Sequence, residues 1–239
     1  MGGRIPDNIL RLGVGEDTLR AESLALIQSD ARLALHLDVI SHVMDLVDVL
    51  RQFPTEDDDL KVIQVLGMRI FNAFASSIKL VLSGYSQTSA LILRDILECT
   101  FLIDLFMTDH AAITRWRTLD KKARLKEFAP VKVRDSLDKR DGFTKKKRAE
   151  FYSLLSELAG HPSMASFAML RPKAIDIRPG PFVEPQVLEA TVTEMGNLAV
   201  QAGEKFASFL PECWGPGIQI RTTFNIRKRD WLKEFYVRG

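Results

Sequence analysis

Arg94 and Glu98 stand four residues apart in the most apolar stretch of the chain, residues 84–107, so on a helix they share a face and reach each other. An ionised side chain inside a bundle costs several kcal/mol unless it is paired. Such a pair is therefore either a structural staple or a piece of chemistry, a guanidinium that holds an anion beside a carboxylate that orients it. His161 follows Gly160 at the end of a later helix-like pattern, and an imidazole is the side chain most often used for proton transfer. Lys145, Lys146, Lys147 and Arg148 are four consecutive cations. They close a block, residues 115–148, with fourteen Lys and Arg against five Asp and Glu, whereas residues 1–60 hold five against twelve. A block that basic follows a phosphate backbone or an acidic partner surface, or simply solvates a helical face.

Other chemistries are poorly served. Cys99 and Cys213 make neither a disulfide framework nor a metal spacing. His36 and His42 are six residues apart and point roughly 120° apart on a helix, which suits no shared metal. The acid run at residues 56–59 is explained by a helix start, with Thr55 as the cap. No glycine-rich strand-to-helix turn of the P-loop or dinucleotide-binding kind occurs. Neither a metal nor a cofactor is expected. Residues 1–6 lack the apolar run of a signal peptide, and no uncharged apolar run reaches the roughly eighteen residues of a membrane span. With 46% hydrophobic and 27% charged residues the composition is that of a globular protein, and the expectation is cytoplasmic, with no membrane contact.

The elements that must position these residues are helical. Apolar residues recur at spacings of three and four from Leu24 to Leu50, predicting one long helix over residues 17–53 that Pro54 ends. A second helix runs from the acid run to Ser83, with Gly84 past its end. The turn to the central helix is so short that the two are antiparallel. Asp109 caps a short helix, Pro130 opens another that Gly142 stops, and Thr144 caps one reaching Ala159. Residues 163–185 read as irregular, with a possible strand at 174–177. A last helix covers residues 184–210, and a basic, aromatic tail holds a possible strand at 218–226. The expected fold is all-α: an antiparallel bundle of four or five helices with Arg94 and Glu98 in its interior. Residues 1–15 form a flexible arm, 16–210 a single domain, and 211–239 a tail packed on it.

Two segments, residues 83–98 with Arg94 and Glu98, and residues 152–162 with Tyr152, Ser156 and His161-Pro162, lie in that order with a basic connector between them. Together they resemble a family of bacterial helical proteins of unknown function, distantly similar to the HEPN nucleases and nucleotide-binding proteins. The resemblance covers roughly residues 60–166. It implies a HEPN-like core that often dimerises, and an RNA- or nucleotide-directed defence or toxin-type role. It places Arg94, Glu98 and His161 at a metal-independent ribonuclease site, with Tyr152, Ser156 and the Lys145 to Arg148 run as binding residues. The chain departs from the HEPN pattern, which sets an arginine shortly before the histidine on one helix. Here Arg148 is thirteen residues before His161, and Arg32 and His36 are too close together. Under this resemblance Arg94 from the central helix has to meet His161 from the later one. The other reading is a non-catalytic interaction module.

Overall fold

In the computed structural model, which describes residues 3–170 and 180–237, the regular elements are helices, as an all-α bundle requires. The periodicity expected to make one long helix makes two: α1 (Asp7–Gln28) and α2 (Ala31–Gln52). The chain breaks at Ser29-Asp30 because the Asp30 carboxylate accepts from the amides of Arg32 and Leu33 and starts a new helix. Residues 7–15 belong to α1 despite Gly13 and Gly15, and every one of them is exposed.

Helix α3 (Asp58–Leu82) is capped by Asp57, which accepts from the Asp59 amide, while Thr55 accepts from the Asp57 amide and only shapes the approach. Among the described residues α3 is long and apolar enough to cross a bilayer, yet here it is a core helix against α2. Gly84, at φ +85°, turns the chain into α4 (Ser86–Thr108). A Cβ there would meet the Phe182 backbone at 2.7 Å and 2.8 Å, so the turn is fitted to a glycine twice over.

Asp109 caps α5 (His110–Thr118) and Asp120 caps α6 (Lys121–Phe128). The acids that open α3 then hold Arg117 of α5, Asp59 at 2.9 Å and Asp58 at 3.3 Å. Pro130 opens α7 (Pro130–Asp141), and Gly142 at φ +68° ends it, both as expected. Thr144 does not cap the next helix. Instead Lys146 adopts φ +45°, and α8 (Lys147–Leu155) widens into a π-turn, Ser156–Gly160. Ser163 caps a short α9 (Met164–Ala168) where irregular chain was expected. The strand expected at 174–177 lies outside the described residues.

Helices α10 (Pro185–Ala207) and α11 (Gly215–Tyr236) complete the fold. The strand expected at 218–226 is helix instead. Its alternating Ile218, Ile220 and Thr222 imitate a strand, but Gly217, Phe224 and Trp231, seven apart, bury one helical stripe that docks α11 on α2. The core lies between α2, α3, α4 and α10, with α7, α8 and the π-turn on the outer side of α4. Leu93, Ile96, Ile103 and Phe106 of α4 are almost wholly buried, which makes it the central helix.

His36 locks α11 in place. Its Nδ1 accepts from Trp231 Nε1 at 2.9 Å, and its ring stacks on Phe235 at 4.3 Å. Burial, aided by nearby Arg32, lowers its pKa from 6.5 to about 4. The unfolded chain therefore takes up the proton that the folded chain refuses, and stability is lost as pH falls from about 6.5 toward 4. Urea denaturation is expected to show roughly 2 kcal/mol less stability at pH 5 than at pH 7 from this group. His36→Gln, which keeps an acceptor for Trp231, flattens that part of the profile. Gly84→Ala is expected to cost about 1–3 kcal/mol, read as a lowered melting temperature.

Candidate functional site

The first finding at the site is a correction. Arg94 and Glu98 are not in the interior; their side chains are 27% and 30% exposed. With Leu91 and Asp95 they line a groove of about 470 Å³ between α3 and α4. Their closest approach, 3.8 Å, is too long for a hydrogen bond. Glu98 instead faces the Tyr152 hydroxyl, and burial, then this carboxylate, raise the phenol's pKa above its ordinary value. The Tyr152 ring carries the Arg134 guanidinium 4.0 Å from its centroid and that of Arg94 at 5.8 Å. Arg134 is buried, its Nε and Nη1 without a hydrogen-bond partner, so the ring is its main compensation.

His161 does not join them. It is exposed and lines a separate depression of about 310 Å³ with Gln87, Pro162 and Phe167. Among the described residues no hydrogen bond or ion pair connects it to Arg94 or Glu98. Arg94 does reach the neighbouring backbone: a Cβ on Gly160 would stand 2.6 Å from its Nη1. Thus Arg94 packs against Gly160 of the π-turn rather than meeting the imidazole. Ser156 is spent on the same turn, its hydroxyl donating to the Tyr152 carbonyl at 2.9 Å and its own carbonyl accepting from the His161 amide at 3.1 Å. The expected grouping therefore divides. Arg94, Glu98, Tyr152 and Ser156 are neighbours in a packing cluster, and no acid–base relay runs through them to His161.

The basic block sorts itself by side-chain type. All six of its arginines are engaged. Arg115 pairs with Asp109 and Glu127, Arg117 with Asp58 and Asp59, and Arg140 with Asp104 and Asp141. Arg148 pairs with Asp138 and Asp141, Arg124 donates to the Trp116 carbonyl beneath its ring, and Arg134 lies on Tyr152. All eight lysines, Lys121, Lys122, Lys126, Lys132, Lys139, Lys145, Lys146 and Lys147, are exposed, and none has an ion pair among the described residues. Arg148, expected to bind with its three lysine neighbours, is a structural clasp instead, because two carboxylates of α7 already hold it.

That clasp shapes the strongest candidate for a binding site. The turn between α7 and α8 carries Lys145 and Lys146, with Lys147 at the head of α8, around a cavity of about 600 Å³. Leu97 and Phe101 of α4, Phe143 of the turn and Phe151 of α8 line it, and Gln201 of α10 stands at its edge. The whole hairpin is anchored by Asp104, buried in α4. Arg140 meets it with Nη1 at 3.0 Å and Nη2 at 3.3 Å, and Lys205 of α10 lies 3.3 Å from Oδ1. Arg140 also binds Asp141, and with Arg148 this holds the Asp141 carboxyl well below the usual carboxylate range.

Among the described residues there is no group of three or more metal-ligating side chains. No protein-family model, curated protein or solved structure matches this chain, so its chemistry is read from these residues. Asp104, Phe143, Phe151 and Gln201 were not singled out in the sequence. A carboxylate within the otherwise uncharged residues 99–107 was the available signal for Asp104, and Phe143 between Gly142 and a lysine run was the signal for the turn. Nothing local marks Gln201. Asp104→Ala, which leaves Arg140 and Lys205 half-buried without their shared carboxylate, is expected to cost about 2–4 kcal/mol in chemical denaturation.

Proposed function

We propose that this bundle is a non-catalytic RNA-binding module whose lysines on α6, α7 and the α7–α8 turn hold phosphates. The observation that carries the reading is the division within the basic block. Its arginines are consumed by internal carboxylates, carbonyls and rings, while its eight lysines stand free on consecutive elements. A free ammonium on a flexible stem costs nothing in folding when it exchanges its counterion for a phosphate, and the released ions drive association. The RNA or nucleotide ligands implied by the resemblance of residues 83–98 and 152–162 agree in kind. Cleavage draws no support from the geometry, because His161 faces solvent apart from Arg94 and Glu98.

An unstructured RNA oligomer is expected to bind at low salt, with affinity falling log-linearly as salt rises. Combining Lys145→Glu, Lys146→Glu and Lys147→Glu is expected to reduce that slope by about 2, at roughly 0.7 per phosphate contact on a single strand. The RNA is expected to stay intact, and His161→Ala to change nothing. Salt-insensitive binding sinks the role of the lysines in holding phosphates, and no binding at low salt sinks the reading in favour of a protein-binding module.

A further inference from the structure

The cavity behind the lysine turn goes beyond phosphate contact and rests on the reading above. We propose that it takes one unstacked nucleobase, so that the protein selects single strands, or a free nucleotide, over duplex.

Three observations converge. The first is the lining. Phe101, Phe151 and Leu97 line the cavity, and a volume of about 600 Å³ falls within the range of small-molecule sites, roughly 300–1,000 Å³. An apolar recess this size under a cationic rim fits a ligand with a flat, weakly polar body and an attached anion. A nucleobase on its phosphate has that chemistry.

The second is Phe143. It lines the cavity and is 58% exposed, so much of its ring is open to solvent. Arg148 lies against the ring, 5.0 Å from its centroid, and is itself fixed by Asp138 at 2.6 Å and by Asp141. One face of the ring thus has an anchored cation against it, while most of the side chain stays open to solvent. An exposed aromatic face is what an unstacked base stacks on, whatever the sequence around it.

The third is polar. Lys145, Lys146 and Lys147 surround the opening with no carboxylate paired to any of them, placing cations where the phosphates on either side of an inserted base would lie. The Gln201 amide is exposed at the same edge and makes no hydrogen bond among the described residues, leaving both its donor and its acceptor for a base edge. Bases of a duplex are stacked and paired, so only the phosphates of a duplex reach this surface.

The test uses the full-length protein and three probes: a single-stranded RNA oligomer containing 2-aminopurine, the same strand in a duplex, and adenosine monophosphate. Wild type is expected to bind the single strand at least tenfold more tightly than the duplex and to quench the 2-aminopurine. Phe143→Ala, at an exposed position, is expected to leave the melting temperature unchanged and to weaken single-strand binding about tenfold, at 1–3 kcal/mol per stacked base. Duplex affinity and its salt slope stay as in wild type. Phe143→Trp restores single-strand binding and Phe143→Leu does not. Competition by adenosine monophosphate identifies the free nucleotide as a ligand in its own right, and its failure assigns the cavity to strands.

Equal affinity for strand and duplex, an unquenched probe, or full binding by Phe143→Leu overturns the base cavity and leaves phosphate binding standing. No binding of either RNA form overturns both.

Discussion

The structure turns on a carboxylate that has nowhere to go. Asp104 sits in the central helix with almost no contact with water, and a charge so placed must be matched or it unfolds its surroundings. The match comes from two directions, Arg140 on α7 and Lys205 on α10. That requirement holds both α7 and α10 against α4. Arg140 passes the constraint on through Asp141 to Arg148, and Asp138 closes the clasp. The α7–α8 turn is thus a short loop whose two ends are tied, by way of these ion pairs, to the middle of the core. The surface it presents inherits the rigidity of α4.

A division of labour between two kinds of cation follows from their chemistry. A guanidinium is planar, binds two acceptors at once and tolerates partial burial, so it suits the anchor positions. An ammonium is strongly hydrated and is better left in water. In residues 115–148 the two types separate completely along this line, and the charge excess of the block therefore overstates how much of it faces outward as unpaired charge. The effective surface is that of the lysines.

Much of the architecture could be read locally. The Gly84 turn, the Asp109 cap, the Pro130 opening and the Gly142 stop are set by residues within a turn of where they act, and each appears where expected. What failed depended on distant partners. Periodicity reports that a face is apolar without reporting which helix covers it, so Arg94 and Glu98 seemed interior when their stripe lies in an open groove. Asp104, ten residues along the same helix from Arg94, is the charge that is truly buried; its partner lies thirty-six residues away and leaves no local trace. The α11 segment shows the same competition in reverse, since alternating β-branched residues gave way to the Gly217, Phe224 and Trp231 stripe once α2 was there to receive it. The cluster expected around His161 separated: Arg94 packs against Gly160 and Ser156 bonds within the π-turn, while His161 is exposed beyond it.

The separation of anchors from free charges also bears on how such a protein can change over time. Any one of the eight lysines can be replaced, or its amine acetylated, without unfastening a helix. Affinity for a partner is then free to drift in small steps while the scaffold stays put. The six arginines have no such latitude, and a lineage that exchanged one for lysine would be altering its frame.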